Sequence, residues 1–124
     1  MLPYPKNEIP RASLPARIIG IGNAGVQLAD RLVMNSPGHA EVVAMNSDAQ
    51  SLVSAVAPRK SNLGPRATRG LGAGGDPEVG YEAAQESLEE IRFSVEASST
   101  VILLVELGGG TGSGAAPVVA EAAK

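Results

Sequence analysis

Apolar positions along the chain fall into short alternations of two periods. Residues 17–21 form a brief apolar run that ends among glycines, as a buried strand does, and Val26, Ala29, Leu32 and Val33 then recur at helical spacing. A turn cluster, Asn35-Ser36-Pro37-Gly38, separates this helix from a second apolar run at 41–45. Asp48 can cap the next helix, in which Ala49, Leu52, Val53 and Val56 share a face until Pro58 ends it. Residues 59–75 read as loop, apart from a short strand near 60–63.

Asp76-Pro77 is a cap followed by proline in the first turn, and it opens a predicted helix over 77–97. Val79, Ala84, Leu88, Ile91 and Val95 form its inner side, with glutamates outside. Residues 100–107 are the most apolar, β-branched stretch, the pattern of a strand covered on both faces. Helix formers return at 115–124. Strands alternating with helices predict an α/β layered fold with a parallel sheet, and there is no internal repeat.

Composition narrows what such a fold can do. At 124 residues the chain can bury about two-thirds of its unfolded surface, enough for one modest core. Tyr4, Tyr81 and Phe93 are its only aromatic residues, so that core is aliphatic and base stacking on nucleic acid is not expected. A net charge of -3 offers no electrostatic footprint for DNA or a membrane surface. No cysteine is present, which excludes disulfides and thiolate chemistry and fits a reducing compartment. The longest apolar run, 101–105, is far short of the ~20 residues that cross a bilayer, so no membrane insertion is expected. Residues 1–15 contain four prolines and no apolar segment, and read as a disordered tail rather than a secretory signal. Ordered structure is expected over 16–124.

Three glycine-rich segments, 20–25, 70–75 and 108–114, each lie between an extended segment and a helix. In an open parallel sheet such segments converge beyond the carboxyl ends of the strands, where backbone N–H groups and helix N-termini can hold phosphate. Gly20-x-Gly22-x-x-Gly25 alone is equally consistent with a tight turn and close helix packing. Five glycines within 108–114 carry a backbone entropy cost that a ligand would justify. No Gly-Lys-Ser/Thr occurs, so the donors would be backbone amides, the Thr111 and Ser113 hydroxyls and Arg69. His39 is a solvated loop residue on this reading, no metal site is expected, and no Ser-His-Asp set can be placed.

Gly108-Gly109-Gly110-Thr111-Gly112-Ser113-Gly114 resembles the signature loop of the tubulin/FtsZ family. The stretch Thr68-Arg69-Gly70-Leu71-Gly72-Ala73-Gly74-Gly75-Asp76-Pro77-Glu78 is similar to one in FtsZ, the bacterial division relative of tubulin. Asn46-Ser47-Asp48-Ala49-Gln50 and Ala115-Ala116-Pro117-Val118-Val119-Ala120 match it as well, in the family's order.

The resemblance implies an α/β fold of Rossmann-like strand order, a parallel sheet with helices on both faces, of which this chain is the N-terminal part. It implies binding of GTP or GDP with Mg²⁺, self-association into head-to-tail cytoplasmic filaments, and a role in cell division. By position, Gly22, Asn23, Ala24, Gly25 and Gln27 would form the first nucleotide loop, with Asn46 and Asp48 in the second. Ala73, Gly74 and Gly75 would face the γ-phosphate, and Gly109, Gly110, Thr111 and Gly112 would hold the phosphates from below. The family's base contacts and its water-activating carboxylate lie in later segments. No catalytic residue is therefore expected here, and neither efficient hydrolysis nor normal polymerisation.

Two departures stand out. The first loop, nearly all glycine and then asparagine in FtsZ, here has Asn23, Ala24, Val26 and Gln27, and β-branched Val26 would be strained if its position required positive φ. Glu106 replaces a glycine two residues before the signature loop, where its carboxylate would repel a triphosphate unless Mg²⁺ or Arg69 intervened. The rival reading from another class is a dinucleotide-binding oxidoreductase domain, for which Asp48 lies at a suitable distance after the first glycine motif. A third is a non-enzymatic fragment that docks on filaments or on nothing.

Overall fold

A computed structural model describes residues 16–35, 41–96 and 98–124. The expected tail at 1–15, the turn at 36–38 and His39 lie outside them. Strands β1 (Ala16–Ile21), β2 (Glu41–Asn46), β3 (Arg59–Asn62) and β4 (Thr100–Val105) form one parallel sheet in the order β3-β2-β1-β4. The helices are α1 (Gly22–Asn35), α2 (Ala49–Val53), α3 (Pro65–Thr68), α4 (Pro77–Glu86), α5 (Leu88–Val95) and α6 (Gly110–Ala122).

Register explains how both faces of the sheet are filled. Ile19 lies beside Val43 and Leu103, and Ile21 beside Met45 and Val105. Since side chains alternate across a strand, these rows share one face. They pack with Ala83 and Ala84 of α4, Ile91 of α5 and Val118 and Val119 of α6. The intervening rows, with Ile18, Val42, Ala44 and Leu104, meet Val26 and Ala29 of α1 and Leu52 of α2. Each fully buried aliphatic side chain contributes about 1.5–3 kcal/mol, so these two clusters can carry the fold without rings. Tyr81 and Phe93 are indeed mostly outside, at 50% and 66% exposure.

A buried charge fastens the start of β1. Arg17 donates to the carbonyls of Ser94 and Glu96 at the end of α5, and its guanidinium lies 2.6 Å from the Glu41 carboxylate on β2. The last carbonyls of a helix lack intrahelical donors, and an arginine there meets both that need and the negative end of the dipole.

Several expectations need correction. β4 is covered on both faces only towards its carboxyl end, where Leu103 and Val105 join one cluster and Leu104 the other; Thr100 and Ile102 are exposed, and as an edge of this sheet the strand pairs with β1 alone. The expected helix over 77–97 is two helices, broken at Ser87, whose hydroxyl accepts the buried N–H of Gly64 at 2.9 Å. α2 stops at Val53 rather than reaching Pro58: the Ala55 N–H turns back to the Leu52 carbonyl at 3.1 Å, and Asp30 of α1 accepts the N–H groups of Val56 and Ala57 at 3.0 and 3.2 Å. The glutamates of α4 do lie outside, and one of them has a task there: Glu86 receives the N–H groups of Arg66 and Ala67 and so caps the short α3. Helices α1 and α6 begin inside the glycine segments rather than after them. Val26 is consequently a helical core residue without positive φ, and the anticipated strain is absent.

Candidate functional site

The chain leaves β1 in one direction, through β2 to β3, while β4 lies on the other side. The crevice between the carboxyl ends of β1 and β4 is thus a topological switch point, where ligands bind in open α/β sheets. A cavity of about 360 Å³ opens there. Its wall contains Gly22, Asn23 and Ala24 from the start of α1, Asn46 and Asp48 from the end of β2, and Ala73, Gly74 and Gly75 from the segment before α4. Gly109, Gly110, Thr111 and Gly112 supply the wall from the start of α6. All three glycine segments therefore meet at one edge of the sheet.

Gly25 and Gln27, expected in the same site, are not on that wall. Gly25 faces β4, where an added Cβ would lie 2.1 Å from the Leu104 carbonyl oxygen, and Gln27 is exposed on α1. Gly114 likewise serves packing, since a Cβ there would come within 2.0 Å of the Pro77 carbonyl oxygen on α4. Part of the glycine content is thus explained by backbones in close approach, without a ligand. Gly74 and Gly75 are different: both have positive φ, 61° and 78°, and a Cβ at either would meet nothing within 4 Å. They form an open turn on the wall.

The donors on offer are the first amides of two long helices. Gly109 is the N-cap of α6 and has no side chain to cap it, and the bond from Ser113 N–H to the Gly109 carbonyl, 3.0 Å, is that helix's first. The N–H groups of Gly110, Thr111 and Gly112 therefore have no carbonyl within the helix. α1 starts at Gly22, directly after Ile21, which carries no polar side chain. Each such helix end presents about half a positive charge.

The side-chain donors fare differently. The Thr111 hydroxyl is 2.6 Å from that of Ser47, and the Ser113 hydroxyl accepts the Gly108 N–H at 3.1 Å. Arg69 is exposed and off the wall; it is the only described non-glycine residue with positive φ, 55°. No lysine or arginine lines the cavity, whereas Asp48 and Glu106 do. One Asp48 oxygen is occupied as the cap of α2, by the N–H groups of Gln50 and Ser51 at 3.1 and 3.2 Å. Asn46 bridges to α1 by donating to Asn23 Oδ1 at 2.7 Å. Sequence reasoning missed Ile21, Leu71 and Gly72 on the wall, and it missed Ser47 behind it. The last could have been suspected, because it stands between two expected site residues.

Fold and cavity define an open parallel α/β domain with a glycine-lined crevice at its switch point. Residues 16–124 match the family model described as "Tubulin/FtsZ family, GTPase domain", and the chain belongs to that family. It is 49% identical over 107 residues to "Cell division protein FtsZ 1" of Methanocaldococcus jannaschii, covering 86% of this chain and 29% of the relative. The protein of the same name from Thermococcus kodakarensis matches with the same identity and coverage. Among solved structures, an empty FtsZ dimer from M. jannaschii superposes with a TM-score of 0.85 at 47% identity, covering 88% of this chain and 32% of that one. CetZ2 from Haloferax volcanii, a GTPγS-bound protofilament, gives 0.79 at 30% identity, with 88% and 35% covered. The chain spans under a third of the length of the curated relatives named here.

Proposed function

We propose that this chain carries the phosphate-holding part of a guanine-nucleotide site, in a protein that works as an FtsZ-type filament subunit in the cytoplasm. The observation that carries the reading is the convergence of two uncapped helix starts and the open turn at 73–75 on one cavity. Backbone amides are the positive groups of this site. With Asp48 and Glu106 on the same wall and no basic side chain, a polyphosphate would enter with Mg²⁺ to offset repulsion between like charges. Gly22, Asn23 and Ala24 would contribute amides from α1, and Gly109, Gly110, Thr111 and Gly112 from α6, with Ala73, Gly74 and Gly75 near the terminal phosphate. Asn46 and Asp48 would lie beside the nucleoside end of the site. On this reading the role of the chain's own residues is to bind and orient. Among the described residues, no helix is long and apolar enough to cross a membrane.

Calorimetric titration with GTP, GDP and NADH, with and without Mg²⁺, tests the reading. GTP and GDP are expected to bind in a Mg²⁺-dependent way, and NADH is not. Preferential binding of NADH would instead support the dinucleotide alternative, in which Asp48 would meet a ribose.

A further inference from the structure

Ser47 has no exposed surface, yet it stands between Asn46 and Asp48, which line the cavity. Its hydroxyl and that of Thr111 are 2.6 Å apart, a buried contact between segments remote in the chain. Its carbonyl oxygen accepts from the Thr68 hydroxyl at 3.2 Å and from the Gly72 N–H at 3.3 Å. The Thr68 oxygen accepts in turn from the Gly70 N–H at 3.2 Å, and the Gly70 carbonyl accepts from Ala49 N–H at 3.0 Å. One buried residue thus joins the 70–75 segment, through its backbone, to the open turn of α6, through its side chain.

We propose that Ser47 is a positioning residue of the phosphate site: its hydroxyl holds Thr111, and with it the first amides of α6, in register with the 70–75 segment before a ligand arrives. The inference rests on the nucleotide reading above and concerns how that site is kept ready. Between Gly108 and Gly112 the only side chain beyond hydrogen is that of Thr111. The Ser113 hydroxyl ties the run only to itself, at the Gly108 N–H, so Thr111 supplies the side-chain anchor to the rest of the protein; without it the run's freedom would have to be removed at the moment of binding. Thr111 is then an anchor that faces the protein, and the ligand meets its amide.

The test uses the full 124-residue chain and the variants Ser47→Ala, Thr111→Val, their combination and Thr111→Ser. Each is read by GTP·Mg²⁺ calorimetry and, without ligand, by hydrogen exchange at the amides of 110–113. Ser47→Ala and Thr111→Val are each expected to weaken GTP binding about tenfold, with the double variant no worse than either single one, because the two hydroxyls act as a unit. Thr111→Ser, which keeps the hydroxyl, is expected to bind as the parent does. Exchange at 110–113 should accelerate in the ligand-free Ser47→Ala chain. If that exchange were unchanged, or if Thr111→Val weakened binding while Ser47→Ala did not, the positioning role would be overturned and Thr111 would be a direct ligand. Should Ser47→Ala fail to fold, Thr111→Val and Thr111→Ser decide the matter from the other side of the same contact. If the parent chain bound no GTP but exchange still responded to Ser47→Ala, the nucleotide reading would fall and the anchoring would stand.

Discussion

Helices α2 and α4 begin under an aspartate, and helices α1 and α6 begin on glycine. Asp48 receives two amides of α2, and Asp76 receives the Glu78 amide of α4 at 2.9 Å. Ile21, before α1, and Gly109, the cap of α6, offer those helices no side-chain acceptor. All four starts face the same physical need, since the first amides of a helix have no partner within it. A side-chain cap answers that need with about 1 kcal/mol of stability relative to alanine and a few tenths relative to glycine, and the two longest helices of the fold forgo it at the cavity. The difference separates helix starts closed by a side chain from helix starts that are open at the cavity, where the proposed function would seat an anion. Charge on the wall sharpens the contrast, because Asp48, the cap of α2, lines the same crevice as the two uncapped starts.

The largest effect is expected where an open start touches a capped one. An added Cβ at Gly110 would lie 2.6 Å from the Asp76 amide nitrogen and 2.8 Å from the Gly75 carbonyl carbon. Gly110→Ala should push the starts of α4 and α6 apart, costing about 3 kcal/mol in urea melts, at the upper end of ordinary overpacking. GTP binding should be lost with it. Retention of both would mean that the two helix starts are not held as close as the contrast requires.

Closing an open start is the next test. Gly109 has φ -74° and ψ 145°, which any residue adopts, and a Cβ there would meet only Glu106, at 3.8 Å or more. Gly109→Asp should give α6 a cap like those of α2 and α4. Stability should rise by a few tenths of a kcal/mol, while GTP affinity falls roughly tenfold because a carboxylate takes the anion's place. Denaturant melts and calorimetry read the two sides separately, and unchanged affinity would show that these amides do not hold the ligand.

The smallest effect concerns the carboxylate already on the wall. Glu106→Gly should tighten GTP binding about fivefold, the factor that corresponds to about 1 kcal/mol of repulsion near 4 Å in a water-like medium. The gain should shrink as salt is raised, because exposed charges are screened. Glu106→Gln separates charge from backbone freedom: it should reproduce most of the gain, and an affinity equal to the parent's would assign the effect elsewhere.

Much of this was legible in the chain itself. Apolar runs at 17–21, 41–45 and 100–107 mark strands, helical spacing at Val26 and Ala29 marks α1, and Asp48 and Asp76 mark caps, because each depends on neighbours a few residues away. The resemblance to the family was carried by the residues of the 46–50, 68–78 and 108–120 segments themselves, in the family's order. Tertiary structure alone could say that Gly25 and Gly114 serve packing while Gly74 and Gly75 stand open, for a glycine's neighbours come from distant segments. It alone turned Thr111 toward Ser47, broke the 77–97 helix at Ser87 for the sake of Gly64, and left β4 at an edge. Local pattern is written in hydrophobicity and backbone preference, whereas the direction in which a side chain finds its partner depends on which remote residues the packed sheet and helices bring beside it.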